Sequence, residues 1–209
     1  MAVDDPQWLV IARELRAIAQ TGLTFTADRF DRQRYHRIRE LAASMLAQGS
    51  GADYGAILGL LLEDKGYATP KVDVRGAAFV EGRVLLVREI SDGKWTLPGG
   101  WADVNQSAAE CVVREIAEES GFEASARKLA AVCDYQKSGH PPRNLDCIYK
   151  MFFLCDITGG AARASDETSE ADFFRRDALP PLSLGRTTAA QIDRMFHHAE
   201  HPEIPTDFD

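Results

Sequence analysis

The hydrophobic pattern of this chain changes its period near residue 70, and the change divides the sequence into two parts. Before residue 70, apolar residues recur every three or four positions, as on one face of a helix. The series cover residues 8–18, 35–45 and 57–62. Gly22 is the expected end of the first helix, and Pro70 marks the boundary because it disfavours helix at the preceding residue. We therefore expect a small helical domain over residues 1–66.

Beyond residue 70 the pattern is typical of strands mixed with helices. The runs VDVRGAAFV and RVLLV flank a Glu-Gly turn and predict a hairpin. Further strands are expected at 129–133, 148–156 and 172–174, and helices at 107–120 and 187–199. Elements in this order predict an α+β core over residues 67–209.

The composition argues against several classes of protein. A net charge of −8 over 209 residues argues against a nucleic-acid partner, although a bound cation could still attract a small anionic substrate. The acidic N-terminus has no apolar signal-peptide core, and no apolar run reaches membrane-spanning length. The four cysteines form no C-x-x-C pair. We expect a cytoplasmic protein with no membrane partner.

The helix expected at 107–120 can be delimited at both ends. Ser107 and Glu110 have the spacing of a capping box, and Gly121 suits a left-handed C-cap. At about 100° per residue, one face of this helix is apolar and is predicted to be buried. That face consists of Ala109, Val112, Val113, Ile116 and Ser120.

Three glutamates share another face of the same helix. Glu115, Glu118 and Glu119 lie three and four residues apart, so their carboxylates are neighbours and repel one another. A divalent cation would turn this repulsion into binding, and hard oxygen ligands favour Mg²⁺ or Mn²⁺. The alternative interpretation is an acidic face exposed to solvent.

The residues around these glutamates resemble the Nudix box. That pattern is Gly, five residues, Glu, seven residues, then Arg-Glu-apolar-x-Glu-Glu-x-Gly-apolar. Here Gly100 is followed after five residues by Gln106, and after seven more by REIAEESGF, so that Gln106 is the one departure. The runs GYATPKVDVRGAAF, LLVREI, KWTLPGGWADVN, FFLCDITGG and FFRRDALPPLSLGRTT extend the resemblance over residues 6–195. They are similar to the Nudix subgroup with an N-terminal helical extension, which includes CDP-choline and ADP-ribose pyrophosphatases.

The resemblance implies a fold, an assembly and a metal site. The fold is the Nudix α/β/α sandwich with a mixed sheet, preceded by a small all-helical domain, in a homodimer. Glu115, Glu118 and Glu119 would bind Mg²⁺, for which Mn²⁺ can substitute, and the carbonyl of Gly100 would add a ligand. Arg114 would orient the cluster by pairing with an acid.

The implied reaction is hydrolysis of a nucleoside diphosphate linked to another group, giving a nucleoside monophosphate and a phosphorylated product. The final proton acceptor is either one of the helix glutamates or an acid of the loop ASDETSEAD, where Glu167 is favoured over Asp166 and Glu170. Two alternatives stay open: the same chemistry on nucleoside triphosphates or RNA ends, and a catalytically silent nucleotide sensor. Gln106 leaves the second open because it lacks the family's charge, so that Arg114 is expected to use Gln106 together with another acid.

Four further residues are candidates for substrate binding. Arg75 lies on the opposite strand face from its apolar neighbours and could contact a phosphate, or form an exposed ion pair with Asp73. Arg88 and Glu89 follow an apolar run and are candidates for the cleft. Trp101 follows the Gly-Gly turn and could stack on a base, with core or rim packing as the alternative.

Two basic groups have no assigned part in this chemistry. One is an arginine series on the second helix, which predicts a solvated face or dimer interface, or else a site for phosphates or an acidic partner. Its members are Arg32, Arg34, Arg37 and Arg39. The other is the pair His197 and His201, expected to be surface residues near the end of the last helix.

Overall fold

The computed structural model of the protein describes residues 5–141 and 145–209. These residues form two compact units. One contains residues 5–70 with 145–147, and the other contains residues 71–141 with 148–209. No helix within the described ranges is both long and apolar enough to cross a membrane.

The first unit is helical, as the periodicity predicted. Its helices are α1 (Gln7–Phe25), α2 (Arg29–Ser50) and α3 (Tyr54–Glu63). Asp28 and Asp53 cap α2 and α3 with side-chain oxygens that accept backbone N–H groups. The expected end of α1 at Gly22 was wrong, because α1 continues for three more residues. Gly22 instead makes room for a neighbour, since a Cβ there would lie 2.4 Å from the ring of Tyr35.

The second unit contains a seven-stranded mixed sheet and two longer helices. The strands are β1 (Lys71–Val80), β2 (Arg83–Glu89), β3 (Trp95–Thr96), β4 (Phe122–Asp134), β5 (Ile148–Gly160), β6 (Thr168–Phe174) and β7 (Asp207–Phe208). The helices are α4 (Ala108–Ser120) and α5 (Ala189–Glu200). The strand order is β3-β2-β1-β5-β4-β7, with β6 paired to β2. The sheet is mixed because β1 runs parallel to β5 and antiparallel to β2.

The two helices cover opposite faces of the sheet. Residues of β1 alternate between them: Val74 packs in the core beside α4, and Ala77 packs in the core beside α5. Gly76 permits close packing, because a Cβ there would lie 2.6 Å from Ile116 of α4. The predicted α/β/α sandwich with a mixed sheet, preceded by a helical region, is confirmed.

Candidate active site

Helix α4 carries the predicted glutamates between the two caps that the sequence indicated. Ser107 is the N-cap and forms a reciprocal capping box with Glu110. Gly121 ends the helix at φ 78°. Both boundaries of this helix therefore agree with the prediction.

The alternative of a fully solvated acidic face does not hold at Glu119. This residue is only 5% exposed, and its carboxylate accepts a hydrogen bond of 2.9 Å from the backbone N–H of Gly99. The helical wheel places Glu119 only about 80° from the centre of the buried face, so the loop at Gly99 covers it. Gly99 has φ 138°, and a Cβ there would lie 2.0 Å from the carbonyl oxygen of Val74. This position therefore needs glycine for both conformation and space.

Glu115 and Glu118 are held by Arg114. The Arg114 guanidinium lies 2.9 Å from Glu115 and also donates to Glu118. Its Nε donates to Gln106 at 3.2 Å, and Nη2 donates to Asp103 at 2.7 Å. Asp103 is thus the acid that accompanies Gln106 on Arg114. Sequence reasoning did not identify it, although it lies within the same loop.

Two carboxyl groups of this site have raised pKa values despite their positively charged neighbours. Burial raises the pKa of Glu119 to about 8, although the guanidinium of Arg75 and the N–H of Gly99 both lower it. Burial also raises the pKa of Glu115, with Arg114 opposing the shift. Bringing a cation to these groups would favour their charged forms.

The donor set fits a hard divalent cation. Carboxylate oxygens are available from α4, and the site also includes the predicted Gly100. The Gly100 carbonyl accepts from the N–H of Val74 at 2.8 Å, which leaves it one further lone pair. Gly100 also lies against Glu115, because a Cβ at Gly100 would be 3.4 Å from a Glu115 carboxylate oxygen.

The three carboxylates do not converge on one another. Arg114 holds two of them and Gly99 holds the third. In the described part of the chain, the three-residue group with ligand atoms within 4.8 Å of one another is the exposed set His197, Glu200 and His201. Its imidazoles suit later transition metals, whereas the oxygen donors on α4 suit Mg²⁺ or Mn²⁺.

Arg75 is buried, which corrects both expectations for it. It is 4% exposed, and its Nε and Nη2 donate to Asp73 at 2.9 and 2.7 Å. Nη1 donates to the carbonyl of Leu97 at 3.2 Å, and Lys150 donates to Asp73 at 2.6 Å. Burial lowers the pKa of Lys150 to about 8, with help from Arg75. Arg75 is therefore part of a buried ion-pair cluster instead of an exposed pair or a free phosphate ligand.

Glu89 lies close to the same site, whereas Arg88 points to the sheet surface. Glu89 is buried and pairs with Arg186 at 2.9 Å, and burial raises its pKa. Arg186, which sequence reasoning missed, also donates to Ser183 at 3.0 Å. The side chain of Arg88 is 42% exposed and pairs with Glu170 across β2 and β6 at 2.7 Å. These contacts favour Glu89 over Arg88 as a residue of the cleft.

The remaining two candidates, Trp101 and Glu167, are both exposed. Trp101 is 49% exposed, so it does not pack in the core, whereas rim packing and stacking on a base both stay open. Lys71 Nζ lies 5.7 Å from its ring centroid. Glu167 is within electrostatic range of Glu89. Thr168, next to it, donates to the carbonyl of Glu119, which joins this loop to the end of α4.

Comparison with known families identifies both parts of the chain. Residues 70–196 match the NUDIX domain, and residues 6–61 match the UDP-X-like, N-terminal oligomerisation domain. The chain belongs to the Nudix hydrolase family, and it is an enzyme of that family with a helical N-terminal region. Nudix hydrolases generally use divalent metal cations, in agreement with the donor set on α4.

Two of the following three relatives resemble the chain over nearly its full length. "Putative ADP-ribose pyrophosphatase YjhB" of Bacillus subtilis (strain 168) is 46% identical over 203 residues, which cover 97% of each chain. A solved UDP-X diphosphatase is 34% identical and covers 97% of this chain and 98% of its own, with a TM-score of 0.63. A solved ADP-ribose pyrophosphatase from Streptococcus suis 89-1591 is 41% identical and covers 68% of this chain and 100% of its own, with a TM-score of 0.62.

Proposed function

We propose that the protein is a Mg²⁺-dependent pyrophosphohydrolase that cleaves the diphosphate of a nucleoside diphosphate linked to another group, with ADP-ribose as the first candidate substrate. The observation that carries the proposal is the buried carboxylate of Glu119 against the turn at Gly99 and Gly100. The names of the full-length relatives support the choice of a nucleoside diphosphate derivative. A cytoplasmic location remains a prediction from the sequence.

The residues of the chain have separate tasks in this proposal. A bound Mg²⁺ would neutralise part of the phosphate charge and would lower the pKa of a bound water. Glu115, Glu118 and Glu119 hold the cation, and Arg114 fixes the first two in position. Glu167 accepts the proton of the attacking water, because its loop is tied to α4 and its carboxylate is exposed.

A second candidate substrate is a uridine diphosphate derivative. The structure that covers 97% of this chain is a UDP-X diphosphatase, and its coverage includes the helical region. CDP-choline, nucleoside triphosphates and RNA ends are further candidates with the same chemistry. The base and the second group are therefore the variables that a substrate panel must test.

Product release from a panel of substrates tests the proposal. We expect ADP-ribose or a UDP-sugar to give a nucleoside monophosphate and a phosphorylated sugar with Mg²⁺, and no product with excess chelator. Hydrolysis of ATP without hydrolysis of ADP-ribose or a UDP-sugar would contradict the proposed substrate class. Absence of turnover on every substrate at high Mg²⁺ would instead favour a nucleotide sensor.

We propose that the protein is a homodimer assembled through its helical unit. Many large apolar side chains of this unit are exposed, and such patches often mark protein interfaces. They include Val10, Ile11, Ile18, Phe25, Phe30, Leu41, Leu60 and Leu62. Light scattering should give a mass twice the 23.1 kDa of the chain, and a concentration-independent monomer would contradict the assembly.

Replacing Gln106 with the family residue should change little. In Gln106→Glu, Arg114 gains a fourth carboxylate partner, because it already pairs with Asp103, Glu115 and Glu118. Since partly exposed ion pairs are worth about 0–1 kcal/mol, we expect kcat/KM to stay the same or rise by less than about fivefold. Steady-state kinetics would measure this. A large loss would show that the amide of Gln106 has a task of its own.

The stability of the metal-free protein should fall as the pH rises from about 5 to 8. Glu119 has an ordinary pKa of 4.5 and a folded pKa of about 8, so the folded state binds more protons between these values. The contribution of Glu119 to the free energy of unfolding is therefore greatest below pH 4.5, and it is lost as the pH rises towards 8. Urea unfolding at pH 5.5 and pH 8 in chelator would measure the difference, and Glu119→Gln should reduce it. An equal pH dependence in the variant would contradict this assignment.

A further inference from the structure

A pocket in the helical unit concentrates positive charge in an otherwise acidic protein. The cavity has a volume of about 360 Å³, and its lining includes Arg32, His36 and Arg39 of α2 together with Lys65. The chain as a whole has a net charge of −8. Such a local concentration of cationic groups in a concave site needs a specific explanation.

The pocket residues form one stripe of α2. Arg32, His36 and Arg39 are separated by four and three residues, the spacing of neighbours on one helix face. Two other arginines of α2 have acidic partners on the same helix: Arg34 pairs with Asp31, and Arg37 pairs with Glu40. On helix α2, Arg34 and Arg37 therefore form ion pairs, whereas Arg32 and Arg39 line the pocket.

The cationic groups of the pocket have no carboxylate partner among the described residues. Arg32 donates to the backbone carbonyl of Thr26 at 2.9 Å, and no acid lies within ion-pair distance of Arg39 or Lys65. Asp64 also lines the pocket, but its carboxylate pairs with Arg16. Within residues 5–141 and 145–209, therefore, no carboxylate forms an ion pair with Arg32, Arg39 or Lys65.

The contact between Arg39 and His36 determines which ring nitrogen of His36 accepts a hydrogen bond and which one can donate. Arg39 Nη2 lies 2.8 Å from His36 Nδ1. A guanidinium has only donors, so Nδ1 must accept, and the proton of the neutral ring then lies on Nε2. His36 is therefore prepared to donate a hydrogen bond through Nε2, and the half-buried Arg39 retains further N–H donors.

We propose that the pocket formed by Arg32, His36, Arg39 and Lys65 binds the phosphate group of a small anion. Guanidinium groups present a fork of donors that matches phosphate oxygens, and Lys65 adds a point charge. The cavity volume lies within the range of small-molecule sites, so it can also hold part of a nucleoside attached to the phosphate. The site is separate from the α4 carboxylates and does not depend on the proposed reaction.

Calorimetric titration of the full chain with inorganic phosphate and with AMP tests the proposal. Excess chelator keeps divalent cations from the α4 carboxylates, and constant ionic strength keeps screening equal between titrations. We expect saturable binding that the double variant Arg32→Gln/Arg39→Gln weakens by about tenfold or more. The matched control, Arg34→Gln/Arg37→Gln, removes the same charge from the same helix and should change affinity by less than about twofold. Equal affinities for phosphate and AMP would show recognition of phosphate alone, and tighter AMP binding would show that the nucleoside is also held.

Three results would overturn the proposal. The first is the absence of saturable binding by either probe. The second is equal weakening in both double variants, which would indicate a general charge effect. The third is binding of a short single-stranded RNA in place of both probes. Circular dichroism of both variants, expected to match the unmodified protein, excludes loss of folding as the cause.

Discussion

Replacing Glu119 with glutamine should lower kcat/KM by roughly 10²–10⁴-fold, because metal assistance contributes several kcal/mol to such reactions. The glutamine oxygen can still accept the Gly99 N–H, so the turn that covers the helix should persist. The side chain loses the charge that holds a cation. The loss should therefore appear in catalysis with little change in folding, and steady-state kinetics with thermal unfolding would measure the two effects separately.

Glu123→Gln is the matched control for this change. Glu123 is an exposed residue of β4 and lies outside the proposed site, so its variant should keep the activity of the unmodified protein. An unchanged rate in Glu119→Gln, or an equal loss in both variants, would contradict the assignment of Glu119 as a metal ligand.

Asp73→Asn should destabilise the second unit by about 3–5 kcal/mol, as expected when one partner of a buried ion pair is removed. Burial alone would raise the pKa of Asp73, but Arg75 and Lys150 outweigh it and hold the pKa below its usual value. The asparagine has nearly the same shape but leaves two buried cations without this counter-charge. Denaturant unfolding followed by tryptophan fluorescence would measure the loss.

Two further variants separate charge from packing in this cluster. The triple variant Asp73→Leu/Arg75→Met/Lys150→Met removes every charge of the cluster and should be more stable than Asp73→Asn. Asp177→Asn breaks an exposed pair with Arg175 and should change stability little. If Asp73→Asn is as mild as Asp177→Asn, the cluster is not a major source of stability.

The local part of the site could be predicted because its determinants are close together in sequence. The capping box at Ser107 and the C-cap at Gly121 define α4, and helical spacing brings its glutamates together. The burial of Glu119 could not be predicted, since it depends on a loop that hydrogen-bonds to β1. Arg186 was missed for a similar reason: its partner Glu89 is almost a hundred residues away, and no local pattern connects them.

In the fold, too, local features could be predicted from the sequence, whereas long-range contacts could not. Periodicity predicted the helical region, while the pairing of β1 with β5 depends on contacts across the intervening helix and strands. Alternation along β1 indicated correctly that Arg75 and Val74 face opposite sides of the sheet. It could not indicate that Lys150 supplies a second buried cation opposite Asp73, which places Arg75 in the interior.

An anomalous difference map of crystals soaked in Mn²⁺ tests the central claim most directly. We expect a peak beside Glu115, Glu118 and Glu119 that is weakened or lost in Glu119→Gln. A peak at His197, Glu200 and His201 with none at α4 would contradict it, because the acidic helix face would then not be the metal site.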